Sequence, residues 1–519
     1  MNQLKPYLKP YLKETILAPL FKLFEAILEL FVPLIMAVII DRGIGNKDTS
    51  LILHQGAILI GLGILGVVVS ITAQYFAAKA ATGFTADVRQ ALFSKIQYFS
   101  FSQLDALGND TLLTRLTSDI NFVQNGLNIA LRLLLRSPFI VGGAIVMAFV
   151  VNVEMAWTFV ITVPILAVVV FGIIYWTIPM YRRVQDRLDR IMRLVHENLL
   201  GVRVIRAFNR EEKEIQSFRE DTETLNQAQQ KVSGLSGAMN PITFVVVNVA
   251  LIVILYGGAI KVDTGTLSKG DVIALTNYMS QILVELVKFA NLVVTMTKSV
   301  ASAERIDNIL SIEPDMVEGT KEVHPDGEVA VAFKDVTLTY QGDQNAALNH
   351  ISFTALKGQT IGVIGGTGSG KSSLVNMIPR FYDATQGEVE VFGNDVRDYL
   401  FASIRGAVGM VLQKAQLFRG TIADNVRFGN ATASTEVVEH ALDVAQASEF
   451  VQTKEGGLDY GIEQNGRNLS GGQKQRMTIA RAIAKQAPIL ILCLEAQPTT
   501  RIENKILVQQ SVLKCLLGS

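Results

Sequence analysis

Before residue 300 the apolar positions come in long unbroken runs, not in the short alternating blocks of a soluble enzyme. Crossing a hydrocarbon layer of ~30 Å takes about 20 apolar residues in a helix, because a helix satisfies its own backbone hydrogen bonds there. Six stretches have that length, roughly 16–40, 52–82, 129–152, 155–178, 241–262 and 273–298. Long polar stretches at 83–128 and 179–240 separate spans two from three and four from five, and the other connections are short. The second begins YRRVQDRLDRIMRLV, strong helix formers with apolar residues every three or four positions, so the spans are predicted to continue as helices well beyond the bilayer.

After Ile312 the pattern changes. SIEPDMVEGTKEVHPDGEVA has Pro, Gly and acidic residues without periodicity and reads as a linker. The division predicted is an all-α membrane domain over 1–310, a linker over 311–328 and a soluble α/β domain over 329–519. In the last, VAVAFKDVTLTY and HISFTAL read as strands, and QTIGVIG as a short buried strand leading into a glycine-rich loop.

Charge adds an orientation. Lys5, Lys9 and Lys13 precede the first span, which places the N-terminus, and with it the soluble domain, in the cytoplasm. The apolar run that follows is longer than a signal-peptide core and lacks a small-residue cleavage site, so it reads as a retained span. Lys22, Glu25 and Glu29 in span one, and Gln281, Glu285 and Lys288 in span six, recur at helical spacing. Two readings stay open for them: an ion-pair stripe that holds helices together, or groups that line a transport path. Lys plus Arg and Asp plus Glu are equal at 47 each, so nothing points to nucleic acid. The two cysteines, Cys493 and Cys515, are not in a metal-ligand spacing.

The soluble part carries the chemistry. Gly365, Gly366, Thr367, Gly368, Ser369, Gly370, Lys371 and Ser372 fit GxxxxGK[ST] between a predicted strand and a predicted helix. Such a loop closes backbone N–H groups around phosphate oxygens, Lys371 reaches the β and γ phosphates, and Ser372 offers its hydroxyl to Mg²⁺. Ser373, the next residue, belongs to the same nucleotide-contacting set. The ligand expected is ATP with Mg²⁺.

About 100 residues further on stands LSGGQKQR, Leu469 to Arg476. With the loop upstream and the six spans, the chain resembles the ATP-binding cassette transporters, of the exporter type that fuses membrane and nucleotide-binding domains. The resemblance covers almost the whole chain. It implies one half of a dimer, homo- or heteromeric, in the cytoplasmic membrane, that exports small lipophilic or amphipathic molecules such as drugs or lipids. It implies that Ser470, Gly471, Gly472 and Gln473 close on a nucleotide held by the other half. By the same resemblance Tyr340 stacks on adenine, Gln413 contacts Mg²⁺ and the attacking water, and segments Asn109 to Leu116 and Ala207 to Glu214 act as coupling helices.

The chain departs from the family beyond residue 492. The strand Ile489 to Leu492 should be followed by a metal-holding Asp and a catalytic Glu, and here Cys493 and Leu494 stand in those places. Glu495 lies one position further and serves as the base only if the local alignment shifts. EAQPTTRIENK lacks the family's next loop, no histidine follows His440, and the chain ends at Ser519, before such domains usually close. Two readings follow: a catalytically degenerate subunit of a heterodimeric exporter, or a truncated or frameshifted product, which the simultaneous loss of several elements favours. On either, ATP binding is expected and hydrolysis by this chain alone is not.

Overall fold

The computed structural model describes residues 2–340, 342–366, 368–495 and 511–517, with 494–495 and 511–517 described by their backbone only. The chain divides into two compact units, Met1–Lys95 with Leu113–Ile312, and Ile96–Leu112 with Glu313–Ser519.

In the first unit, among the described residues, six helices are long and apolar enough to cross a membrane: Lys5–Ile44, Thr49–Gln97, Asn109–Val151, Val153–Ala207, Glu211–Asp263 and Lys269–Ser311. At 1.5 Å per residue the fourth, of 55 residues, is far longer than a bilayer needs, as its polar second half predicts. The outward residues of the second helix are Ile60, Ile64, Val67, Val68 and Ile71, all exposed, which suits lipid contact and not water. Its inward face is small: Ala73, Ala77, Ala80 and Ala81 are buried, so neighbouring backbones come close. At Gly126 in the third helix an added Cβ would fall 2.1 Å from the Ser299 hydroxyl of the sixth, so only glycine permits that approach. A core of Phe159, Leu166, Ile254, Tyr278, Met279 and Ile282 joins helices four, five and six, and the Tyr278 hydroxyl donates to the Leu30 carbonyl of the first at 2.6 Å.

One polar cluster crosses this apolar unit. Arg136 of the third helix donates to Glu285 of the sixth at 2.9 Å and to Glu29 of the first at 2.6 Å. Glu285 also accepts from Ser137 at 2.8 Å and from Lys288 at 2.8 Å, and Lys22 pairs with Glu25 on the first helix. The side chain of Glu285 is 2% exposed, and three donors surround its carboxylate. The charge stripes of spans one and six thus converge on a partner, Arg136, that sequence spacing did not single out.

The second unit contains ten strands among the described residues: β1 Val329–Leu338, β2 Leu348–Leu356, β3 Thr360–Gly365, β4 Gln386–Val391, β5 Asn394–Asp395, β6 Val408–Val411, β7 Gly420–Thr421, β8 Gly461–Ile462, β9 Ile489–Glu495 and β10 Ser511–Leu517. They form an antiparallel sheet in the order β2-β1-β4-β5, a parallel sheet in the order β3-β10-β9-β6, and the pair β7-β8. Over residues 489–493 strand β9 is buried on both faces. Ile489, Ile491 and Cys493 enter one hydrophobic cluster, Leu490 and Leu492 the other, which is why its sequence is a continuous apolar run.

Residues 96–112, the chain between spans two and three, also fold into this unit. The helix Phe101–Leu107 opens on a capping box between Ser100 and Gln103. Phe101 stacks on Phe381 with centroids 4.4 Å apart, Gln103 donates to the Glu313 carbonyl at 2.7 Å, and Asp105 accepts from the Tyr382 hydroxyl at 2.7 Å. Burial, then the neighbouring Asp105 carboxylate, pushes the Tyr382 phenol up. These contacts lie just upstream of the coupling segment at Asn109 to Leu116 that the resemblance implies.

Replacing Arg136 by Met removes one of the two cations that meet the buried Glu285 and should cost about 1.5–3 kcal/mol. The melting midpoint of the detergent-solubilised chain should therefore fall more for R136M than for R136M/E285L, and equal falls would mean that the pair is not coupled.

Candidate functional site

The phosphate cradle forms where β3 ends. Gly368 and Gly370 both have φ of +82°, a backbone region that side chains disfavour, and an added Cβ at Gly370 would sit 2.5 Å from the Ala347 carbonyl. The turn then enters the helix Lys371–Met377, held down by Leu374, Val375 and Met377 in the first hydrophobic cluster. Lys371 is buried, and its ammonium donates to the carbonyls of Gly365 and Gly366, both at 2.6 Å, and to the Ser369 hydroxyl at 3.1 Å. The cation is thus stretched across the loop that phosphate oxygens would enter. Thr367 lies outside the described residues.

Ser372 is exposed beside the loop, whereas Ser373 is buried and accepts from the Tyr340 hydroxyl at 2.8 Å. Tyr340 is half-buried and meets the ring of Tyr382 edge-on, with centroids 5.1 Å apart. The aromatic residue assigned to adenine is therefore tethered to the first turn after the cradle, and through Tyr382 it touches the residue that Asp105 holds. Neither Tyr382 nor Asp105 stood out in the sequence, because their partnership joins positions 277 residues apart.

Parallel strands bring their C-terminal ends to one edge, the usual binding edge of such sheets. Leu517 pairs in register with Gly365 on one side and with Glu495 on the other, and Val411 pairs with Leu492. Hence the cradle, the end of β9 and the exposed Gln413, two residues beyond β6, share that edge. Cys493 lies two register positions inside it, level with Val363 through Cys515, and is 6% exposed among core side chains. A thiol is a soft donor, and Mg²⁺ prefers hard oxygens in near-octahedral geometry. The residues present therefore fit a nucleoside triphosphate well, while for Mg²⁺ the hydroxyl of Ser372 and the amide oxygen of Gln413 remain and the carboxylate expected at 493 does not. Among the described residues no cluster of His, Cys, Asp and Glu could hold a metal ion. The backbone of Glu495 is level with Gly365, the side chains of Leu494 and Glu495 are not among those described, and 496–505 of EAQPTTRIENK lie outside the described residues.

The second motif opens the helix Gly471–Ala484. Ser470 caps it, accepting from the Gln473 N–H at 3.3 Å while the Gln473 side chain accepts from the Ser470 N–H at 3.0 Å. Gly471 and Gly472 are exposed, with open space where a Cβ would be, so backbone N–H groups at a positive helix end face outward. Leu469, Met477 and Ile479 fix the helix in the second hydrophobic cluster. Arg481 locks it from the side, donating to the Asn425 carbonyl, the Asn425 side chain and the Gln416 carbonyl, each at 2.9 Å. The two motifs are thus built on different clusters. Among the described residues, no hydrogen bond links Ser470–Gln473 to the cradle.

With this geometry in place, comparison with known proteins is informative. The family described as "ABC transporter transmembrane region" matches residues 15–286, and that described as "ABC transporter" matches 348–492. An uncharacterized ABC transporter ATP-binding protein of Mycobacterium tuberculosis (strain ATCC 25618 / H37Rv) is 34% identical over 493 residues, covering 94% of this chain and 84% of the relative. The uncharacterized ABC transporter ATP-binding protein YfiB of Bacillus subtilis (strain 168) is 34% identical over 477 residues, 92% of this chain and 83% of the relative. An ATP-dependent lipid A-core flippase of Vibrio vulnificus (strain YJ016) is 28% identical over 500 residues, 94% and 84%.

Charge-assisted hydrogen bonds contribute about 1.5–3 kcal/mol each. Lys371→Ala should accordingly weaken binding of a fluorescent ATP analogue to the single chain by about 10–100-fold, and Ser470→Ala should leave it unchanged. A comparable loss in both variants would mean that the two motifs form one site within the chain.

Proposed function

The chain belongs to the ABC transporter family as a half-transporter of the exporter type, and from that premise we propose that it exports small lipophilic or amphipathic molecules, drugs or lipids, across the cytoplasmic membrane. The observation that carries this reading is the separation of the two motifs. A cradle that holds phosphates and an outward helix end that accepts them, on different clusters, call for a second half whose motifs face these in exchange. The second half is a copy of this chain or a related one. Bound ATP then bridges the halves and favours the closed arrangement by its differential affinity for it.

In this reading Gly365 to Ser373 and Tyr340 hold the nucleotide, and Ser470 to Gln473 contact the one bound by the partner. Lys371 stabilises charge on the γ-phosphate, and Gln413 orients the water. Ser372 and Gln413 supply oxygens to Mg²⁺, which on binding would neutralise phosphate charge. Because residues 96–112 are folded into the nucleotide-binding unit, closure of that unit pulls on spans two and three directly. The sixth helix supports a hydrated passage: Asn277, Ser280, Lys288 and Asn291 are exposed along it, side chains that lipid would not tolerate. Lys5, Lys9 and Lys13 support a cytoplasmic nucleotide-binding domain. The printed name of the flippase relative favours an amphipathic lipid among the candidate cargoes.

A specific observation favours a second reading of the chemistry. With a buried thiol at 493 the chain's own site binds ATP and releases it unhydrolysed, and its Ser470 completes the competent site of a partner. Glu495 takes the base role only if β9 shifts locally.

Reconstituted in lipid vesicles, the chain alone should release phosphate no faster than its Lys371→Ala variant. With a co-purified partner half, release and outward movement of a fluorescent lipid analogue should both appear, and Ser470→Ala should reduce them by about 100-fold or more. Turnover by the chain alone would contradict the degenerate-site reading, and silence with every partner tested would contradict export.

A further inference from the structure

Helices Val153–Ala207 and Glu211–Gly237 pack side by side as a hairpin closed at Phe208–Arg210. Near its membrane end a groove of about 150 Å³ runs between them, lined by Met180, Arg183, Arg187, Gln227, Lys231 and Val232. Three of these are cations and none is a carboxylate; Asp186, next to Arg187 on the same helix, is not part of the lining. Among the described residues Arg183 and Lys231 have no ion pair, whereas further along the hairpin Arg190 meets Asp221 at 3.1 Å. Arg187 donates to the Thr224 carbonyl, and on its other side it lines a second concavity with Arg190, Glu220 and Asp221, so Arg183 and Lys231 are the groove's free cations among the described residues. With three cations and no carboxylate in its lining, the groove presents a positive field to an anion.

The neighbouring surface says where that anion comes from. Tyr175, Trp176, Ile178, Pro179 and Arg182 line an adjoining concavity of about 430 Å³, mostly apolar and open to the outside. Trp176 is 65% exposed and Tyr181 54%, and such rings collect at the boundary between hydrocarbon and water. Arg183 lies about 10 Å beyond Trp176 along the helix, the depth of the headgroup layer.

We propose that this groove binds the phosphate of an anionic membrane lipid, with the lipid's glycerol and upper chains lying over Trp176 and Pro179. Arginine reads phosphate oxygens two at a time, and a basic pocket between helices at the leaflet surface has the geometry to select such headgroups. The bound lipid fastens the hairpin of spans four and five to the leaflet and pairs with Arg183, Arg187 and Lys231. The site does not depend on transport and is testable whatever the cargo.

The chain has two tryptophans, so Trp157→Phe leaves Trp176 as sole reporter. In full-length chain reconstituted in phosphatidylcholine containing a minor fraction of phosphatidylglycerol, brominated phosphatidylglycerol should quench Trp176 more than brominated phosphatidylcholine at the same fraction. Each cation at an anionic surface contributes about fivefold to partitioning, so Arg183→Gln with Lys231→Gln should lower that preference by about tenfold or more. The control Arg190→Gln with Arg193→Gln, outside the groove, should keep it. Equal quenching by both lipids, equal loss in the control, or displacement of the lipid by inorganic phosphate would each overturn the proposal.

Discussion

Strand β9 is the constraint on which the nucleotide-binding unit depends. It runs through the middle of a parallel sheet, buried on both sides, and successive residues alternate between two hydrophobic clusters. One cluster carries the glycine-rich loop and the other carries the helix that opens at Ser470, so β9 keeps the two motifs of one chain apart. The same alternation decides the chemistry at its end. Position 493 falls on the side of the cradle's cluster, where a carboxylate would be affordable only with a metal or another cation beside it. A thiol needs neither, and Cys493 packs as a core residue.

In the membrane unit the corresponding constraint is Arg136. A guanidinium in an apolar bundle is tolerated only with partners, and it draws Glu29 and Glu285 from helices one and six onto one point. That point ties the first, third and sixth helices. The polar exposed positions of the sixth helix, Asn277, Ser280, Lys288 and Asn291, pass beside it at Lys288. Of the charges read along span six, Glu285 is buried in this cluster and Lys288, paired with it, is partly exposed.

What was legible in the sequence follows from what each requirement leaves in it. A bilayer demands unbroken apolar runs, and a phosphate cradle demands glycines at fixed spacing with Lys and Ser after them, so six spans, strand β3 and the loop at 365–372 could be read directly. Contacts between distant positions leave no such trace. Arg136 looks like an ordinary flanking charge at the start of a run, and Tyr382 like one more aromatic after a helix. The placement of β10 between β3 and β9 was not foreseen either, because SVLKCLL carries no motif and its register comes from its neighbours. The Cys493 substitution was readable, but its consequence, a thiol sealed in the core, needed the sheet.

The account's central claim is that the phosphate cradle is intact while the carboxylate that anchors Mg²⁺ is gone. The most direct test is the ATP affinity of the purified chain by calorimetry, with Mg²⁺ and with it chelated. The account predicts a change within about threefold, under 1 kcal/mol, and a clear Mg²⁺ dependence once Cys493→Asp restores the acid. Affinity in the unaltered chain that falls tenfold or more on chelation, about 1.4 kcal/mol, would contradict it and show that another group holds the metal.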